Sequence, residues 1–102
     1  VTQESPLVAD RYPRLAAELA AALRAAGEHR LADRVPALRI VRECGCGDDF
    51  CRSLYSGPPP DGPYGPGHRC VWLVPPWAGL LNLDVVDDVI RYVEIIDRPA
   101  LD

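Results

Sequence analysis

Lysine is missing from this chain: its eleven basic residues are all arginine, outnumbered by fifteen acidic ones for a formal charge of −4. The arginines form no basic stripe, and an acidic domain without one is a poor match for a phosphate backbone, so nucleic acid is not an expected partner. Long apolar runs are missing too. The longest, Val71 to Leu83, is broken by Pro75 and Pro76 and is too short to span a bilayer. Val1 to Val8 lacks the basic start and apolar stretch of a secretory signal. No membrane association is expected, and a cytoplasmic address follows. In that reducing compartment cysteines are expected to be free or metal-bound rather than paired. There is no internal repeat and no sign of a second domain.

What is present fits one small folded unit. A chain of 102 residues lies in the usual range for a single domain, and 48% hydrophobic with 25% charged residues is close to the globular average. The unusual feature is proline and glycine, eleven and eight residues, mostly gathered between Gly57 and Gly79. Residues 1–9 read as an N-terminal tail and 10–102 as the domain.

From Asp10 apolar residues recur at helical spacing: Leu15, Leu19, Ala22, Leu23 and Ala26. Asp10 is a plausible cap, Pro13 sits where a missing N–H costs nothing, and Gly27 can end the helix, which is expected over 11–26. A shorter helix is expected over 28–34, stopped by Pro36. Beyond residue 37 the period approaches two, and strands are expected at 38–44, 50–55, 69–74, 80–86 and 89–96. The last two form a hairpin. If Asp87-Asp88 makes a two-residue turn, Val85 faces Ile90, Leu83 faces Tyr92 and Leu81 faces Glu94; a four-residue loop is the alternative. The fold class expected is α+β, an N-terminal helix with a short second helix packed on an antiparallel sheet of about five strands. Between the second and third strands runs Gly57 to Gly67, whose prolines keep it out of a sheet.

The residues with chemistry to explain are Cys44, Cys46, Cys51, His68 and Cys70. Structural zinc takes four thiolate or imidazole ligands, and this set offers one more than needed. The expected set is Cys44, Cys46, Cys51 and His68, with Cys70 as a substitute for the histidine. Gly45 and Gly47 relieve crowding so that a turn can bring the sulfurs together. The spacing is C-x-C then C-x4-C, not paired C-x-x-C knuckles, so three other fates stay open: buried reduced thiols, disulfides, or a redox pair. Asp48 and Asp49 read as turn residues more readily than as oxygen ligands. His29 reads as a surface residue. Trp72, Trp77 and Tyr64 bracket the proline loop and suit core packing or an aromatic rim for a partner peptide.

The runs Cys44-Gly45-Cys46-Gly47-Asp48-Asp49-Phe50-Cys51 and Gly62-Pro63-Tyr64-Gly65-Pro66-Gly67-His68-Arg69 resemble those of a family of short proteins from high-GC actinobacteria. The lysine-free, Ala/Arg/Gly/Pro-rich composition agrees with a GC-rich source. That family has no assigned activity, so the resemblance implies no reaction.

The function expected is a small metal-binding domain, with zinc as its cofactor, whose ion cross-links the first β-turn to the third strand. The alternative is a protein-interaction or accessory module, such as an inhibitor, immunity or antitoxin-like partner, using the acidic surface and the proline loop. A thiol enzyme in which His68 activates Cys70 or Cys51 is the third reading. Nothing marks an oxyanion hole, and no catalytic residue is assigned.

Overall fold

The computed structural model describes residues 5–102. Its elements run α1 (Val8–Arg11), α2 (Pro13–Ala25), α3 (His29–Arg34), a 3-10 turn (Val35–Ala37), then β1 (Arg42–Glu43), β2 (Leu54–Tyr55), β3 (His68–Leu73), β4 (Leu80–Val86) and β5 (Val89–Ile96). The protein is α+β, with the helices packed on one face of a five-stranded antiparallel sheet of order β1-β2-β5-β4-β3. Among the described residues no helix is long and apolar enough to cross a membrane.

The helix expected over 11–26 is broken at Tyr12. That residue takes φ −135°, ψ 70° because Pro13 behind it disfavours the helical region for its neighbour. Asp10 therefore lies inside α1 rather than capping α2. The free N–H groups at the start of α2 are satisfied from the far end of the chain: Arg14 and Leu15 both donate to the main-chain oxygen of Asp102, at 3.0 and 3.1 Å. Gly27, at φ 79°, ends α2 as expected.

Leu15, Leu19, Leu23 and Leu31 from the helices join Leu81, Leu83, Val85, Ile90, Val93 and Ile95 from β4 and β5 in one core cluster. Each of these side chains contributes roughly 1.5–3 kcal/mol on burial. The β4–β5 hairpin turns at Asp87-Asp88, both left-handed at φ 49° and 64°, which the twist of a two-residue hairpin demands. Val85 faces Ile90 as expected. Beyond that pair the register slips by one: Asp84 faces Tyr92, Leu83 faces Val93 and Leu81 faces Ile95. Arg91 is bulged out, which carries the apolar face from Ile90 to Val93 without turning it outward.

The strand expected over 38–44 shrinks to Arg42–Glu43, and the one over 50–55 to Leu54–Tyr55. Residues 38–40 pair instead with the chain leading into α1: Val8 N–H, at the first position of α1, donates to Leu38 O, and Ile40 N–H to Pro6 O, both at 2.8 Å. Leu7 bridges Arg39, and Val8 is 2% exposed. The expected tail thus splits. Residues 1–4 lie outside the described residues, while 6–9 belong to the packed domain.

One buried charge had no sequence signal. The Arg98 side chain is 4% exposed and fully engaged, donating to Glu18 Oε1 (2.9 Å), Asp102 Oδ1 (2.8 Å) and the carbonyls of Pro99 and Ala100. Its guanidinium also lies 5.6 Å from the Trp77 ring centroid. This cluster holds the chain's last residues against α2.

Candidate metal centre

The segment between β1 and β2 is where three cysteines converge. Cys44 continues the β1–β2 ladder, its N–H donating to Ser53 O at 3.1 Å. Gly45 and Gly47 then take φ 71° and 79°, a region closed to most side chains, and reverse the chain sharply. A turn follows, closed by Cys51 N–H to Asp48 O at 3.1 Å, and Cys51 itself bridges Ile96 at the end of β5. The result places the Sγ atoms of Cys44, Cys46 and Cys51 within 4.8 Å of one another.

A tetrahedral ion with metal–sulfur bonds of ~2.3 Å separates its sulfurs by about 3.8 Å, so the three need to close by about 1 Å at most. Among the described residues no histidine or carboxylate joins this group. All four cysteines are free thiols. The loop can therefore supply three soft donors to a metal ion.

The cysteines line a cavity of about 450 Å³ together with Tyr12, Glu43, Asp48, Asp49, Arg52 and Leu101. Asp48 contributes its main-chain N–H, which is directed at the Cys46 sulfur and favours the thiolate. The hydrogen bonds Cys46 makes to Cys51 and Cys44, with some burial, outweigh it and push the thiol up to about 11. Cys51 moves the other way: burial opposes its ionisation, but its hydrogen bonds with the Ser53 hydroxyl and N–H and with the other two cysteines lower it below an ordinary thiol. Tyr92 donates its hydroxyl to Cys44 Sγ at 3.8 Å, and its ring packs against Tyr55 with centroids 4.5 Å apart and a tilt of 43°.

His68 and Cys70 are not part of this centre. They lie on β3, and β1 and β3 are the two edges of the sheet, four strand-to-strand steps or about 19 Å apart. Cys51 stands beside Ile96 and His68 beside Val86, at opposite ends of the β4–β5 ladder. The expected four-ligand set with His68, and the cross-link from first turn to third strand, are both overturned by strand order. The sheet interposes β5 and β4 between segments that follow one another in sequence.

His68 and Cys70 meet a different partner. His68 Nε2 lies 2.8 Å from Asp84 Oδ1 and 4.0 Å from Cys70 Sγ, and Cys70 Sγ lies 3.5 Å from the same carboxylate oxygen. The imidazole nitrogen that faces the sulfur is thus already engaged by a carboxylate. Burial, then the Asp84 contact, raise the Cys70 thiol above its ordinary value. Both features oppose a nucleophilic thiol, which requires a free base and a lowered pKa.

His29 is exposed, as expected. Trp77 is half-buried and donates to Ile96 O at 2.9 Å, Tyr64 stacks on His68 with centroids 5.0 Å apart, and Trp72 is 72% exposed. The chain matches no protein-family model, no curated protein and no solved structure.

Proposed function

We propose that this is a small zinc-binding domain whose ion is held by Cys44, Cys46 and Cys51 at the mouth of the β1–β2 loop. The observation that carries it is the convergence of three free sulfurs within 4.8 Å on a loop bent by two left-handed glycines. Three thiolates suit zinc among the common cellular metals, and a fourth position open to water or a ligand atom is the arrangement of zinc sites that do more than hold a fold together. The ion clamps the loop rather than stapling two parts of the core, so the domain folds around its leucine cluster and gains the loop's order on binding. A reducing cytoplasm keeps such thiols available.

Native mass spectrometry with and without chelator, with elemental analysis of the bound metal, tests the reading. One zinc is expected to disappear when Cys46→Ser and Cys51→Ser are combined. A metal load that these substitutions leave unchanged overturns it.

An interaction module is the second reading, and one observation favours it. Trp72 and Val74, 72% and 88% exposed, lie on and just past β3, whose outer edge pairs with no strand among the described residues. An unpaired edge with large apolar side chains is a template for a further strand. Sedimentation over a wide concentration range tests the simplest partner, a second copy: dimers that Trp72→Lys disperses support it, and a monomer throughout removes it.

A further inference from the structure

We infer that the far edge of the sheet carries a second, independent metal site, made by His68, Cys70 and Asp84, for a borderline divalent cation such as Zn²⁺ or Co²⁺. The three donor atoms, an imidazole nitrogen, a sulfur and a carboxylate oxygen, all lie within 4.8 Å of one another. Nitrogen, sulfur and oxygen donors together match the preferences of zinc and cobalt rather than those of calcium or magnesium, which want oxygen alone.

The backbone builds this trio. His68 and Cys70 are two apart on β3 and so share a face, and Cys70 stands directly opposite Asp84 in the β3–β4 register. All three stand on the face away from the helices, since the alternate residues Val71, Leu73, Leu83 and Val85 are buried in the core. The Tyr64 ring, 5.0 Å from the imidazole centroid and 28° from its plane, holds that plane. Donors fixed on paired strands lose little freedom when an ion arrives.

The distances agree with that role. With zinc bonds of ~2.0–2.3 Å, a tetrahedron puts neighbouring donors about 3.3–3.7 Å apart. The observed separations of 2.8, 3.5 and 4.0 Å bracket this range. The short one is a hydrogen bond whose proton the cation replaces, and the long one closes as the imidazole swings toward the sulfur. One carboxylate oxygen now receives both the imidazole and the thiol, and a single cation can take the place of both protons. Side-chain exposures of 30% for His68 and 26% for Asp84 leave a path for the ion and a position for water.

The inference does not rest on the three-cysteine centre, and one set of titrations separates the two. Cobalt is the probe, because one thiolate or three give charge-transfer bands of different strength in the near ultraviolet and different visible bands. The full chain is expected to bind two equivalents of Co²⁺, and also of Zn²⁺ by native mass. The combined Cys46→Ser and Cys51→Ser variant should keep one, with a one-thiolate spectrum. Cys70→Ser and His68→Ala, made separately in the otherwise intact chain, should each lose one equivalent and leave the three-thiolate spectrum. A chain that binds a single equivalent, lost with Cys46 and Cys51 and untouched by Cys70→Ser and His68→Ala, overturns the second site while sparing the first. A single equivalent lost with Cys70 and His68 but not with Cys46 and Cys51 supports the second site and removes the first.

Discussion

Tyr92 stands opposite Asp84 in the β4–β5 register, while its hydroxyl reaches across β2 to donate to the sulfur of Cys44 at 3.8 Å. One side chain thus touches the three-cysteine centre from within the sheet. Burial raises the phenol well above its ordinary value, so it stays a donor at any working pH. Tyr92→Phe keeps the ring on Tyr55 and removes only that donor. Partners of metal ligands commonly matter 10–100-fold in affinity; this longer bond to sulfur is expected to matter about three- to tenfold. Competition titration with a chromophoric chelator measures it, and unchanged affinity would show that the hydroxyl serves packing alone.

Metal affinity should rise with pH. Cys46, pushed to about 11, carries its proton at neutrality, and an ion must displace it to bind. Each proton released steepens the dependence by about tenfold per pH unit. Isothermal titration in buffers of different ionisation enthalpy counts the protons directly. At least one per ion is expected near pH 7, and none would contradict the placement of Cys46 among the ligands.

Chelation should lower the melting temperature. An ion present at a hundred times its dissociation constant stabilises by about 2.7 kcal/mol, which corresponds to roughly 10–20 °C for a domain of this size. Differential scanning calorimetry with and without EDTA reads the shift. The Cys46→Ser and Cys51→Ser double variant should keep only the part owed to other sites.

Arg69 donates to both carboxylate oxygens of Glu28 at 2.9 Å, tying the start of α3 to β3. The Arg69 hydrogen bond lowers the Glu28 pKa against a small opposing effect of burial. A depressed folded-state value means the pair stabilises above the ordinary glutamate range and loses that contribution as pH falls through the depressed value. Glu28→Gln is therefore expected to cost about 0.5–1 kcal/mol at pH 7, in the range of a well-formed but solvent-exposed pair, and nothing at pH 2. Urea midpoints of both proteins at the two pH values check it.

Arg98 is the more severe test of the fold. Removing one partner of a fully buried pair costs about 3–5 kcal/mol; Arg98→Met should cost about 2–3, because Glu18 and Asp102 keep contact with water. Arg14→Ala, whose pair with Asp102 is exposed, should stay within about 0.5 kcal/mol. Equal effects in chemical denaturation would mean that burial of Arg98 is not what matters.

The helices and the β4–β5 hairpin could be read from periodicity, because leucines at helical spacing and Leu81, Leu83 and Val85 in alternation each reflect a burial pattern local to one element. The slip at Arg91 was not legible: unbroken alternation from the Asp87-Asp88 turn places Leu83 opposite Tyr92 and Leu81 opposite Glu94, and only the register shows the extra residue. The 38–44 strand misled because Leu38 and Ile40 do alternate, but against residues 6–8 rather than the sheet. The metal set was half legible. Cys44, Cys46 and Cys51 converge through local turns, whereas His68 was expected among them only as the fourth donor a zinc site takes. Strand order is a property of the whole sheet, and no residue near His68 encodes that β4 and β5 will stand between. Asp84, the residue that completes the His68–Cys70 group, carries no signal beside them in sequence because it stands across a strand pair.

Arg91 is the one residue β5 has to spare. Its carbonyl receives the N–H groups of both Ser56 and Gly57, at 3.0 and 3.2 Å, and the Ser56 hydroxyl bonds the neighbouring Ile90 carbonyl at 2.7 Å. Excising it would leave Ile-Tyr-Val-Glu-Ile in plain alternation, so the hairpin could zip without a kink while the long proline excursion lost its mooring at the start. The irregularity in the ladder is thus the point at which the loop is fastened to the sheet.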